Sequence, residues 1–176
     1  MTKRLLCSYF ALLLLALPTS AADVTTAYGT TGQTITCTLA SLANTGVRSC
    51  AAIDNRTNKF MDALIFIKFL TGASGAAATG YINIYAGGTV DDGTTYTDAG
   101  GTDAALTPKN VRIVTACAAG ANATTYRCGP FSLRPVFGGS LPALWFIAIE
   151  NQTGTTLDST EGNHAKLYQG VKGTVQ

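Results

Sequence analysis

The chain has 176 residues, only 12% of them charged, with 12 Lys and Arg against 10 Asp and Glu. That is about half the usual charged share for a globular domain, and no Lys/Arg stripe runs through it, which excludes a nucleic-acid surface built on phosphate contacts. With 19 Gly and 47% apolar residues, the chain can bury a core while offering little surface charge to keep copies apart.

Met1-Thr-Lys-Arg4 precedes an apolar run, Leu5 to Pro18, and then the small residues Thr19 to Ala22. A positive start, a short apolar middle and a small-residue end describe a cleaved secretory signal over residues 1–22, with an uncleaved N-terminal hydrophobic anchor as the alternative. The run is short for a bilayer span, and Cys7 lies inside it rather than at its end, which does not support a lipoprotein anchor. Without Lys3 and Arg4 the basic residues fall from 12 to 10, level with the 10 acids. Residues 23–176 then form one domain, exported to a periplasmic or extracellular space, with no membrane attachment after cleavage.

Asp23 to Thr31 is polar and reads as an extended arm. Gln33 to Leu39 alternates Thr with Ile35, Cys37 and Leu39, a half-buried strand, and Arg48 to Asp54 returns after a turn at Asn44-Thr-Gly46. Phe60 to Leu70 is apolar on both faces, as a strand inside a covered sheet would be. Tyr81 to Ala86 alternates Ile82 and Ile84 against Tyr81, Asn83 and Tyr85. These two segments read as a β-hairpin joined by the small residues 72–78. Gly87 to Asn110 is a long loop rich in Gly, Thr and Asp, of the kind that carries function or lies against a partner. Val111 to Ala118 and Thr124 to Pro135 suggest a second hairpin. Leu144 to Asn151 is again apolar on both faces, and Leu157 to Val175 suggests a last short pair. About eight short strands without a long helix predict an all-β, antiparallel β-sandwich of jelly-roll type.

Four cysteines follow the signal: Cys37, Cys50, Cys117 and Cys128. An even count in an exported chain points to disulfides. The local pairing is Cys117–Cys128 with Cys37–Cys50, and Cys37 as a buried thiol is the alternative for the latter. The cysteines lack metal-ligand spacing and there is one histidine, so no metal site of that type is expected.

Among chemistry-bearing residues, His164 stands near Asp158, Ser159 and Glu161, but no nucleophile elbow occurs and a surface imidazole is the plainer reading. Asp91, Asp92, Asp98 and Asp103 share the long loop and are a calcium candidate, although the spacing departs from the helix-loop-helix pattern; a solvated loop is the simpler expectation. Trp145, Tyr81, Tyr85, Tyr96 and Tyr126 could form a sugar-stacking platform, with Trp145 better suited to the core. Asn55-Arg-Thr57, Asn122-Ala-Thr124 and Asn151-Gln-Thr153 fit the glycosylation acceptor pattern. No catalytic residue and no cofactor is expected.

The segments Thr26–Leu42, Asp62–Ala99, Asn122–Leu133, Phe137–Trp145 and Glu150–Val171 resemble small tailed-phage and prophage proteins that look like virion components. The resemblance covers nearly the whole chain after the signal. It implies a non-enzymatic structural or assembly protein that packs or presents a β-sandwich through its loops, with homo-oligomers or other virion and surface proteins as partners and the virion as its location. The export signal departs from that pattern. The alternative is a secreted carbohydrate- or cell-surface-binding module using Asp91–Asp103 and nearby tyrosines, and an exported hydrolase is the third reading.

Overall fold

The computed structural model describes residues 24–175; the proposed signal, residues 1–22, lies outside them. The chain runs through β1 (Val24–Tyr28), β2 (Gln33–Thr34), β3 (Val47–Ser49), β4 (Ile53–Asp54), β5 (Asp62–Leu70), β6 (Tyr81–Thr89), β7 (Ala104–Ala105), β8 (Arg112–Ala118), β9 (Thr125–Ser132), β10 (Leu144–Gln152) and β11 (Ala165–Val175). One sheet has the order β1-β11-β5-β9, with β2 also on β11; the other has β7-β3-β10-β6-β8, with β4 also on β10. All pairings are antiparallel.

The pairs are nested. β1 and β2 pair with β11, β3 with β10, β5 with β9, and β6 with β8. A long hairpin rolled up so that successive pairs fall into alternate sheets is the jelly roll. The expected β-sandwich is therefore present with a defined topology.

Strand alternation fills the space between the sheets. On β5, Ala63, Ile65, Ile67 and Phe69 are fully buried and meet Ile82 and Ile84 of β6 and Trp145, Ile147 and Ile149 of β10 in one cluster. Each such Ile stabilises the fold by roughly 1.5–3 kcal/mol relative to its exposed state. Trp145 packs edge-on against Tyr168 of β11, ring centroids 5.5 Å apart, and so joins the two sheets.

Four local expectations need correction. β5 and β6 are not a hairpin: they lie in opposite sheets, and residues 71–80 arch between them. That arch is held by Thr71 N–H donating to Thr124 O and Ala77 N–H donating to Thr153 O. Alternation marks which side of a strand is buried but carries no information on its partner. The β8–β9 hairpin fails in the same way, each strand belonging to a different sheet. The described part of the N-terminal arm forms β1, paired with β11 from Val24↔Val175 to Tyr28↔Val171. The final short pair is one 11-residue strand, β11.

β10 is buried on both faces for a reason visible in the long loop. Residues 90–111 cross the outer face of its sheet and add β7 to the far edge beside β3. Phe146, fully buried, points outward beneath this loop. Tyr96 meets it edge-on at 6.0 Å, and a Cβ on Gly100 would sit 2.3 Å from its ring.

Candidate functional site

The two disulfides are Cys37–Cys50 and Cys117–Cys128, with Cα atoms 4.5 and 6.2 Å apart. The second joins β8 to β9 and therefore sheet to sheet. The first joins the segment after β2 to the residue that follows β3. Two bridges suit an oxidising, exported environment. Among the described residues no helix is long and apolar enough to cross a membrane.

The four loop aspartates do not converge. Asp91 accepts from the Thr94 and Thr95 N–H groups and from the Thr89 hydroxyl. Asp92 pairs with Arg56, which also holds Asp54. Asp98 accepts from the N–H groups of Lys109, Asn110 and Val111 and from the Asn110 side chain, all within 2.7–2.9 Å. Asp103 takes the Thr38 N–H and hydroxyl and lies 2.8 Å from Arg48 Nε. Each carboxylate pins one stretch of the loop, and among the described residues no three His, Cys, Asp or Glu side chains gather as metal ligands.

This pinning carries a pH dependence. Burial pushes the Asp98 carboxyl up, but the hydrogen bonds from Lys109, Asn110 and Val111 outweigh it and hold it down at about 2. A carboxyl held below its unfolded value contributes stability above that value and loses it as pH falls through the folded one. The loop is therefore expected to hold down to about pH 4 and to open as pH approaches 2. Asp98→Asn should open it at neutral pH. Hydrogen exchange of residues 90–111 across pH 5 to 2, in both proteins, checks this; a variant loop as protected as the native one would contradict it.

His164 makes no hydrogen bond with Ser159. It is buried, with Nδ1 accepting from Leu70 N–H at 3.4 Å and Nε2 donating to Asp158 O at 3.0 Å. The Asp158 carboxylate is taken by Thr160 and Asn163, and Glu161 by Lys166 and the N–H groups of Leu39 and Ala40. These contacts tie residues 158–166 to the backbone of Leu39, Ala40 and Leu70. Of the glycosylation acceptors, Asn55 and Asn151 are buried and donate to backbone carbonyls; Asn122 is exposed.

The aromatic candidates divide. Trp145 is core, as expected, and Tyr126 stacks on Phe69 at 5.4 Å. Tyr96 lines a cleft of about 700 Å³ with Asp91, Asn110, Arg112 and Ser140, beside the glycine floor Gly87-Gly88. Tyr81 and Tyr85 stand with Asn83 on the outer face of the β10–β6 sheet, on the half the loop leaves open. There they meet two groups that the sequence reading passed over, Glu150 and Gln152 of β10. In register, Gln152 lies opposite Tyr81 and Glu150 opposite Asn83. The Tyr85 hydroxyl donates to Glu150 Oε2 at 2.6 Å, Asn83 Nδ2 to the same oxygen at 2.7 Å, and Gln152 Nε2 to Oε1 at 2.8 Å. Burial raises the Glu150 carboxyl, yet these three donors bring it below its usual value. The same carboxylate, after burial, pushes the Tyr85 phenol up to about 12. The switch from apolar to polar at the end of LWFIAIENQ was the available signal: it marks where the covered half of β10 stops.

The outer face of the other sheet is different in kind. Leu64 and Phe66 of β5, Leu167 of β11 and Pro130 of β9 border a shallow depression of about 210 Å³. In comparisons with known proteins, the chain matches no family model and no curated protein sequence.

Proposed function

We propose that this protein is a non-enzymatic structural subunit of the virion type, which packs against further copies of itself or neighbouring shell proteins through its sandwich faces. The observation that carries this reading is an apolar patch on the outer face of the β1-β11-β5-β9 sheet. Leu64, Phe66 and Leu167 lie on the solvent side of a sheet whose inner side is already filled, in register as Leu167↔Phe66. They are only half-buried in the single chain, and a packing subunit would cover the rest. The low charge of the chain lowers the electrostatic cost of bringing copies together. Jelly rolls serve as both capsid and lectin domains, so topology alone favours neither use.

The test is sedimentation of the full protein over a range of concentrations, beside Phe66→Lys and Leu167→Lys. Native assembly that both half-exposed variants abolish, with secondary structure unchanged, supports the reading. A native protein that stays monomeric at high concentration, away from any phage particle, counts against it. A second reading, a glycan-binding module, is favoured by one separate observation: the tyrosine and carboxylate constellation on the opposite outer face.

A further inference from the structure

We infer that the open half of the outer β10–β6 face is a binding surface for a neutral, hydroxyl-rich glycan chain, read by Tyr81, Asn83, Tyr85, Glu150 and Gln152. This rests on the second reading above and gives it a place and a ligand class.

The face is open and borders a cleft. Glu150 also lines, toward β3, a cleft of about 530 Å³ bounded by the 40–46 turn and residues 105–108, which Tyr81, Asn83, Tyr85 and Gln152 do not line. On the other side the strand partners of Asn83 and Tyr81 are Ala116 and Ala118, too small to cover the tyrosine rings. The loop over Phe146 closes one end. What is left is an open strip along β6 with Tyr81 and Tyr85 at its ends and amide and carboxylate groups between them.

The polar groups are set in place before any ligand arrives. Glu150 is fixed by three donors from two strands, so its geometry costs little ordering on binding. Asn83 spends both Nδ2 hydrogens on Glu150 and Tyr85, while Gln152 spends one of its two on Glu150. The Asn83 Oδ1, the Gln152 Oε1 and the Tyr81 hydroxyl have no hydrogen-bond partner among the described residues, and Tyr81 is 40% exposed. The strip therefore presents acceptors on Asn83 and Gln152, a Tyr81 hydroxyl that can donate or accept, and a spare Gln152 N–H, beside the two tyrosine rings.

That charge pattern selects the ligand. A strip of mixed donors and acceptors around a carboxylate repels phosphate and uronate polymers and suits hydroxyl groups, which both donate and accept. Sugar rings supply hydroxyls at their edges and apolar C–H faces to lie on tyrosine. A lysine side chain also suits a carboxylate, and it is the competing ligand that the test must separate.

The experiment uses the full protein and a panel of neutral oligosaccharides (glucose, mannose, galactose and N-acetylglucosamine oligomers), with polygalacturonate and a lysine-rich peptide as controls, read by calorimetry and by amide chemical shifts. Tyr81→Ala and Glu150→Gln are compared with the native chain, and circular dichroism checks folding; Tyr81→Phe, which keeps the ring, serves as the gentler variant. We expect a neutral oligosaccharide to shift β6 and β10 amides and to lose about tenfold or more in affinity in Tyr81→Ala and Glu150→Gln. Binding only to polygalacturonate or only to the lysine peptide overturns the assignment. Glycan binding that neither variant weakens also overturns this surface but leaves the module reading standing. No retention of any neutral glycan overturns both.

Discussion

Truncating Phe146 to alanine is expected to cost about 3–5 kcal/mol and to set residues 90–111 loose from the sheet. The ring is fully buried although it faces away from the inter-sheet core; the loop covers it with Tyr96 at its edge and the backbone of Gly100 against its tip, beside Gly87 of the neighbouring β6. Gly101 N–H donates to Ser49 Oγ at 3.0 Å beside this contact. Without the ring, that backbone closes over a void. Trp145→Ala, one residue away but pointing inward, supplies the comparison. Both should lower the urea midpoint, while only Phe146→Ala should raise hydrogen exchange and protease cleavage within 90–111 under native conditions. Equal exchange of the loop in the two variants would mean that the ring does not hold it.

Reduction of both disulfides should be nearly as damaging. The bridges close loops with sequence separations of 13 and 11, and constraining loops of that size is worth about 3 kcal/mol each. Together they approach the whole stability of an ordinary domain, about 5–15 kcal/mol. A reduced or Cys117→Ser/Cys128→Ser protein is expected to unfold at a distinctly lower denaturant concentration, and the Cys37→Ser/Cys50→Ser variant similarly. The four-serine protein should fall furthest. Denaturant titrations of the three variants measure this directly; unchanged midpoints would show that the sheets hold without staples.

What could be read from the sequence follows from what periodicity encodes. The alternation Ala63, Ile65, Ile67, Phe69 gives the buried side of β5 directly, and the all-β sandwich follows from several such runs. Partner choice does not follow. The small residues 72–78 look like a hairpin turn because Gly and Ala suit any sharp reversal, but the arch they form is selected by contacts with Thr124 and Thr153, far along the chain. The Cys117–Cys128 pairing was legible because it is local, and it remains right although the two strands sit in different sheets. The acidic loop misleads for a related reason. Asp91, Asp92, Asp98 and Asp103 are neighbours in sequence, yet each is used by a different backbone segment or guanidinium. The outer-face constellation was half visible: Tyr81, Asn83 and Tyr85 share a face by period two, whereas Glu150 and Gln152 join them only through the β10–β6 register.

The concentric strand pairing also imposes a timetable on how the molecule can form. β6 and β8 sit innermost, while the outermost pair brings Val24 to Val175, a closure that waits on every ring inside it. Chains dominated by such distant pairings reach the native state on millisecond-to-second scales and spend that time with unsatisfied strand rims. The Cys117–Cys128 crosslink belongs to an inner ring and spans few residues, so oxidation there can align the two layers early and shorten the aggregation-prone interval before the first and last strands meet.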